Sequence, residues 1–360
     1  MKKKMICPQK INTKTYPFVS ICMPTFNRRP FIPYIIKCFQ HQTYPKDRME
    51  WIVIDDGTDK IEDLLKDIPQ VKYFKYDEKM VLGKKRNLAH EKSIGDIIVY
   101  MDDDDYYPPE RVSHAVETLQ KHPEVLCVGS SEMYIYFKHI GKMYKFGPYG
   151  PNHSTAATMA FKKELLLQTR YDDNAALAEE KQFLKNYTVP FFQLDSMKSI
   201  LVFSHNHNSF DKKTLIEPNN LNKFVSLSEK KVTDFIKEEE ICGFFMKDID
   251  VLLDNYEPGR PENKPDVIKQ TNEIHEKREK MMETQKRNLA NYQQFIHKCS
   301  EESKKQGNKE LDMNYVITSL LNENGELKDK VTYLENKIKD LITIQIEKER
   351  KRLIDLAKNN

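Results

Sequence analysis

Apolar residues over the first hundred positions follow two alternating rhythms. Phe18-Val19-Ser20-Ile21-Cys22-Met23 is a short apolar run stopped by Pro24, and it reads as a strand. Phe31, Tyr34, Ile35, Cys38 and Phe39 recur at three- and four-residue intervals and predict a helix over 31–41. Trp51-Ile52-Val53-Ile54 is a second apolar run, ended by Asp55-Asp56-Gly57. A short helix over 59–67, a strand over 71–76, a helix over 84–93 and a strand over 96–101 follow. Strands alternating with helices predict a parallel sheet covered on both faces. Nearly continuous apolar strands are what such a sheet requires. Its ligands bind beyond the carboxyl ends of the strands. Asp55-Asp56 and the run Asp102 to Asp105 both lie just past a strand's carboxyl end, so both are expected to line one crevice.

The pattern then becomes mixed. A helix is predicted over 110–121, a strand over 125–129 and a hairpin over 132–147. A last strand, 199–203, leads into His205-Asn206-His207-Asn208. After about residue 225 Gly and Pro become rare, except in Glu257-Pro258-Gly259-Arg260-Pro261, which reads as a linker-like break. Val267, Ile274, Met281, Leu289 and Ile296 stand at near-heptad spacing in a highly charged stretch. Leu320, Leu327, Leu334 and Leu341 recur every seven residues, with Ile317, Asn324, Val331 and Ile338 as the partner seam. Leucine on one seam and mostly β-branched residues on the other predict a parallel two-stranded coiled coil, hence a homo-oligomer. The competing reading is a single amphipathic helix lying on its own domain. The expected division is a basic arm over 1–15, an α/β domain over 16–225, a helical linker region over 226–310 and a coiled coil over 311–360.

Composition narrows the function classes. Of 360 residues, 39% are apolar and 31% charged, which suggests a globular core with a polar extension. A formal net charge of +3 gives no electrostatic case for nucleic-acid binding. The basic opening MKKKMICPQK is followed by no apolar core, so it does not read as a secretory signal. No apolar run is long enough to predict a transmembrane segment. The six cysteines, at 7, 22, 38, 127, 242 and 299, include no CxxC pair, which argues against zinc and thioredoxin-like sites. Cys22 and Cys38 fall in apolar patterns as buried thiols, pointing to a reducing, cytoplasmic compartment.

The sharpest chemical signal is Ile97-Ile98-Val99-Tyr100-Met101 followed by four consecutive aspartates, Asp102 to Asp105. Pinned between a buried strand and the helix-start signal Pro108-Pro109-Glu110, these carboxylates repel unless compensated. A divalent cation removes the conflict, and hard cations take oxygen ligands. Asp102 and Asp104, two apart, share a side of an extended backbone. Magnesium or manganese held there keeps open positions for phosphate oxygens.

VSICMPTFNR, WIVIDDGTD, GKKRNLA and GDIIVYMDDDDYYPP, in that order and spacing, resemble the family 2 inverting glycosyltransferases of the GT-A fold. The resemblance covers about residues 17–210, thins after 130 and does not reach the last third. It implies a GT-A nucleotide-diphospho-sugar transferase domain with a C-terminal helical, coiled-coil extension. It also implies transfer of a sugar from a nucleotide-diphosphate donor, UDP-sugar first, to an acceptor hydroxyl of a glycan, protein or lipid. On it, Pro24, Thr25 and Phe26 touch base and ribose, and Asp55 and Asp56 hold base and ribose. Arg86 and Asn87 open a helix toward the diphosphate, with Lys84 and Lys85 able to help. Asp102 and Asp103 belong to the donor site. Asp102 and Asp104 form the DxD that holds Mn or Mg, joined by one histidine, His205 first with His207 as the alternative. Inverting transfer needs a carboxylate base. Glu180, in Ala178-Glu179-Glu180-Lys181, takes the place of the family's aspartate, with Glu179 and Asp173 as alternatives. Tyr106 and Tyr107 are candidates for the acceptor groove.

Three rivals compete. Tyr100-Met101-Asp102-Asp103 spells the YMDD of polymerase palms, but Pro108-Pro109 close by prevents the central strand that should follow. A sugar-nucleotide nucleotidyltransferase needs a glycine-rich phosphate loop after the first strand, and PTFNRRP has no glycine. A coiled-coil scaffold with a degenerate transferase domain would not need the metal aspartates.

Overall fold

A computed structural model describes residues 16–218 and 222–305 and parts of 320–345. The arm over 1–15 lies outside the described residues, as do Ile317 and most positions beyond 341. The chain divides into two compact units, one ending at Ile274 and one beginning at His275.

The strands of the first unit, in chain order, are β1 (Val19–Thr25), β2 (Met49–Asp55), β3 (Val71–Lys75), β4 (Ile97–Tyr100), β5 (Cys127–Gly129), β6 (Met133–Phe137), β7 (Lys142–Phe146), β8 (Ala160–Lys162), β9 (Phe191–Gln193), β10 (Val202–Ser204) and β11 (Val225–Leu227). Seven form the main sheet in the order β3-β2-β1-β4-β8-β5-β9. β1 pairs in parallel with β2 and β4, and β2 with β3, while β8 runs antiparallel between β4 and β5. This is the mostly parallel α/β sheet that the apolar runs predict.

Alternation along each strand divides the core in two. Ile21, Met23, Trp51, Val53 and Val99 face one side, where they meet helices α1 (Ile32–His41) and α4 (Arg111–Lys121). α2 (Glu62–Leu65) is shorter than the 59–67 expected, because only Leu65 of it is buried. Cys22, Ile52, Ile54, Ile98 and Tyr100 face the other side, against α3 (Leu82–Lys92) and α5 (Glu180–Phe183). Cys22, Cys38 and Cys127 are buried free thiols.

The order of the sheet positions the site. From β1 the chain moves outward to β2 and β3, then returns to the other side of β1 as β4. The loops after β1 and β4 therefore diverge at a topological switch point, where parallel sheets leave a crevice. A second, four-stranded sheet, β10-β6-β7-β11, contains the predicted hairpin β6–β7, whose turn uses Gly141 at φ 63°. An antiparallel bridge between Tyr106 and Leu201 ties the aspartate loop to the start of β10 and so brings His205 beside it.

The compact unit does not stop at 225. α6 (Val232–Phe235), α7 (Glu239–Gly243), the π-helical turn Phe244–Asp248 and α8 (Ile249–Asp254) add Phe235, Ile241, Phe244, Phe245, Ile249 and Leu253 to the main core. Phe244 stacks on Tyr34 of α1, and Phe245 on Phe203 of β10. These aromatic side chains need the α/β domain to bury them, which a free linker would not. Glu257-Pro258-Gly259-Arg260-Pro261 is likewise no break: it folds into two short 3-10 turns, Glu257–Gly259 and Pro261–Asn263, packed on the unit.

Helix α9 (Pro265–Lys305) starts in the first unit, and in the second its described residues are nearly all exposed. Farther on, the described residues between 320 and 345 are helical, and Leu327, Val331, Leu334, Ile338 and Leu341 are exposed. No helix among the described residues is long and apolar enough to cross a membrane.

Candidate active site

A cavity of about 310 Å³ opens at the switch point. Pro24 near the end of β1, Phe26 just after it, Arg86 from α3, Asp102 to Asp105 after β4, and Glu179 before α5 stand on its wall. Loops at strand ends supply the chemistry while the sheet supplies the rigidity.

The compensation of the four aspartates is distributed. Arg28, 4% exposed, places Nη2 3.1 Å from Asp104 Oδ2 and Nε 3.6 Å from Asp103 Oδ1, while its Nη1 donates to His207 O at 2.7 Å. Asp102 faces Arg86, whose Nη1 and Nη2 lie 3.4 and 3.5 Å from its two oxygens. Asp105 is turned inward and accepts from Phe203 N–H at 3.3 Å. Burial and the Asp104 charge push the Asp105 carboxyl well above its ordinary range. Burial raises Asp103 to about 6 against the pull of Arg28. Burial also opposes ionisation of Asp104, but Arg28 and the His205 contact outweigh it and hold its pKa below the usual carboxylate range. Two arginines from distant segments, and an inward Asp105 whose ionisation burial disfavours, thus relieve the repulsion.

His205 is buried behind Asp104, with Nε2 3.6 Å from Asp104 Oδ2. Burial drives its pKa down to about 3, so the imidazole is neutral. Its nitrogens also meet His207 N–H (3.2 Å) and the Asn208 amide (2.8 Å). Among the described residues no group of three His, Cys, Asp or Glu side chains stands as a ready metal cage. Asp104 and His205 do converge, and a carboxylate with a neutral imidazole fits a divalent cation that takes its remaining ligands from phosphate oxygens. Asp102 is directed to Arg86 instead.

Several predicted residues serve the wall from behind. Asp55 accepts from Gly57 N–H (2.9 Å), Ile61 N–H (3.2 Å) and Tyr73 Oη (2.5 Å), which fixes the turn after β2. Asp56 accepts from Met80 N–H and from Lys85 Nζ (2.8 Å), and Lys85 reaches the cavity. Positions 55, 56 and 104 therefore serve one crevice, although only Asp104 is on its wall. Asn87 turns away from the cavity. Its amide donates to Tyr171 O (3.0 Å) and Asp173 Oδ1 (2.7 Å) and accepts from Tyr171 N–H (3.0 Å), docking the 171–173 loop on α3. Gly83 makes that docking possible, since a Cβ there would lie 2.0 Å from Asp172 O. Tyr106 and Tyr107 are core residues, with their hydroxyls bound to Phe235 O and to Asp102 N–H.

In the acidic pair, Glu179 Oε1 accepts from Arg86 Nε at 2.9 Å. Glu180 begins α5 and makes no ion pair among the described residues. Burial and the neighbouring Glu179 raise it to about 7.

The glycosyl transferase family 2 pattern matches residues 20–177, the stretch that carries β1, β2, α3, β4 and the aspartate loop. Over that stretch, a little under half of its length, the chain is similar to family 2 glycosyl transferases. Among its curated relatives, poly(ribitol-phosphate) beta-N-acetylglucosaminyltransferase TarS of Staphylococcus aureus is 27% identical over 116 residues, covering 29% of this chain and 19% of the relative. GalNAc(5)-diNAcBac-PP-undecaprenol beta-1,3-glucosyltransferase of Campylobacter jejuni is 32% identical over 111 residues, covering 29% of this chain and 34% of the relative. Among solved structures, the mannosyltransferase of Pyrobaculum calidifontis with GDP-Man and Mn2+ is 18% identical, with a TM-score of 0.43 over 52% of this chain and 57% of that one. The chain thus spans about a fifth to a third of the curated relatives it first matches. Arg28, Lys85, Arg86 and the four aspartates all fall inside the family 2 stretch, whereas Glu179, Glu180, His205 and Lys264 lie beyond it.

Sequence reading passes over Arg28, the cation paired with both Asp103 and Asp104. The available signal was its place in PTFNR, on the loop entering the crevice. Lys264 was also missed. It is 4% exposed on the cavity wall, and burial together with Arg28 lowers its ammonium to about 6.

Proposed function

We propose that this chain is a metal-dependent inverting glycosyltransferase, moving a sugar from a nucleotide-diphosphate donor, UDP-sugar first, to an acceptor hydroxyl of a glycan, protein or lipid. One observation carries the reading: a single cavity is bordered by Arg28, Lys85 and Arg86, by Asp102 to Asp104, and by Glu179, the chain neighbour of Glu180. Cations suit a diphosphate, and a free carboxylate suits an acceptor hydroxyl.

In this reading Pro24, Thr25 and Phe26 border the nucleoside, and Asp55 and Asp56 set the turn and Lys85 behind it. Glu180 takes the proton of the acceptor hydroxyl as its oxygen attacks the anomeric carbon. The bond from that carbon to the phosphate oxygen breaks, and the nucleoside diphosphate leaves on the opposite face. Glu179 holds Arg86 against Asp102. Asp104 and His205 would hold Mn or Mg, which would supply Lewis-acid neutralisation of the leaving diphosphate, while Asp102 stays with Arg86.

The test is a screen of UDP-, GDP- and dTDP-sugars for hydrolysis or transfer with manganese, in wild type and Asp104→Ala. At least one donor should turn over, and Asp104→Ala should lower that rate by tenfold or more, on the order of what one lost charge contact in a dry site costs. Unchanged turnover in the variant would remove the metal assignment.

We also propose that the heptad near the end joins two copies of the chain. Leu327, Leu334 and Leu341 are 54–59% exposed, the side chains a partner helix would cover, and Asn324 on the other seam suits a two-stranded register. Sedimentation of the full chain should give a dimer that Leu334→Lys converts to monomer. Equal masses for the two proteins would end the claim.

A further inference from the structure

We infer that Lys264 is a diphosphate-binding residue, carried onto the donor cavity by a strap, residues 256–270, that lies outside the family 2 stretch. The inference rests on the donor reading above and goes beyond it by assigning a contact to this chain's own C-terminal segment.

The strap is anchored on both sides of the cavity. At its start Tyr256 Oη donates to Asp59 Oδ2 (2.8 Å), and Asn27 Nδ2 donates to Pro258 O (2.9 Å). Gly259 permits the close approach, because a Cβ there would lie 2.7 Å from Asn27 O and 3.0 Å from His207 Nδ1. At its end Asp266 pairs with Lys79. Gln270 Oε1 accepts from Ala176 N–H (2.9 Å) and Leu177 N–H (3.2 Å), and its Nε2 donates to Asn174 O (2.5 Å). The first anchors lie on the loops after β1 and β2, the last on the loop leading to Glu179. The strap therefore joins the nucleoside side of the cavity to the acidic pair.

Lys264 sits between these anchors. Its Nζ donates to Ser209 Oγ at 2.9 Å and, among the described residues, makes no ion pair. The other buried cations on the wall are matched: Arg28 by Asp103 and Asp104, Lys85 by Asp56, Arg86 by Asp102 and Glu179. Burial disfavours the charged form of a lysine that has no carboxylate in contact, and an apolar side chain of similar length would pack there at lower cost. The arrangement makes physical sense when an anion completes it. A diphosphate entering the cavity brings that charge to a site shielded from water, where charge-assisted hydrogen bonds are strong.

The experiment uses the full chain with manganese. Binding of UDP, GDP and dTDP is measured by calorimetry, and binding of the matching nucleoside by ligand-observed NMR, in wild type, Lys264→Met and Lys264→Arg. Melting temperatures are taken without ligand. Lys264→Met should bind the accepted nucleoside diphosphate about tenfold or more weakly, with nucleoside binding unchanged and a melting temperature equal or higher. Lys264→Arg should retain most of the affinity. Equal diphosphate affinity in wild type and Lys264→Met overturns the inference. So does a parallel loss of nucleoside and diphosphate with a lowered melting temperature, the mark of a purely structural lysine. A wild type that binds none of the three diphosphates refutes the donor reading itself, and the two failures are thereby distinguishable.

Discussion

Glu180→Gln is expected to lower the transfer rate by about 10³-fold, the middle of the range for losing a general base, while nucleoside diphosphate binding stays unchanged. Geometry and charge divide the acidic pair. Glu179 already spends its carboxylate on Arg86. Glu180 has no such partner among the described residues, and burial beside Glu179 lifts it to about 7. A base must be ionised to accept a proton, so the rate should rise with pH and level off above about 7. Glu179→Gln supplies the sign test. It removes the negative neighbour that raises Glu180 and leaves Arg86 less neutralised, and both changes favour the ionised form. The acid limb of the profile should therefore move to lower pH in Glu179→Gln. If Glu179→Gln abolishes transfer and Glu180→Gln retains it, the roles are reversed.

The sequence makes the scaffold readable and its cross-connections much less so. β1, β2 and β4 announce themselves because strands buried on both faces are continuous apolar runs. The β6–β7 hairpin is legible from its alternation and from Gly141. The site depends on pairs far apart in the chain, and no local pattern signals them. Arg28 meets Asp104 across 76 residues, Arg86 meets Glu179 across 93, and Asn27 holds Pro258 across 231. Asp55-Asp56-Gly57 illustrates the ambiguity. The carboxylates that would suit a ribose are engaged elsewhere: Asp55 closes the turn, and Asp56 is held by Met80 N–H and Lys85. Pro258-Gly259 reads as a break because such residues usually mark solvent-exposed turns, yet here glycine is needed where backbone meets backbone. The end of the compact unit was missed for a related reason. Phe244 and Phe245 stand in a charged segment, and only the α/β core on which they stack shows that they are buried.

Arg86→Met should abolish turnover and cost the fold roughly 3–5 kcal/mol at neutral pH, the penalty for stranding buried charges. The guanidinium is held on four sides. Nε meets Glu179 at 2.9 Å, the two terminal nitrogens meet Asp102, and the plane lies 4.5 Å over the Tyr100 ring and 5.9 Å over that of Tyr171. Methionine fills much of the space and leaves Glu179 and Asp102 without their cation. The stranded carboxylates then favour protonation, so the penalty should shrink as pH falls from 7.5 to 5. Urea denaturation of both proteins at those two pH values measures this, and a pH-independent difference would mean that packing alone accounts for the loss. Arg86→Lys separates charge from shape. It restores one positive charge but cannot span Glu179 and Asp102 with a planar fork, nor stack as well on Tyr100. It should recover part of the stability and little of the rate. If Arg86→Lys works as well as wild type, the fork is unnecessary, and a point charge between the acidic pair and the aspartate loop is enough to organise the site.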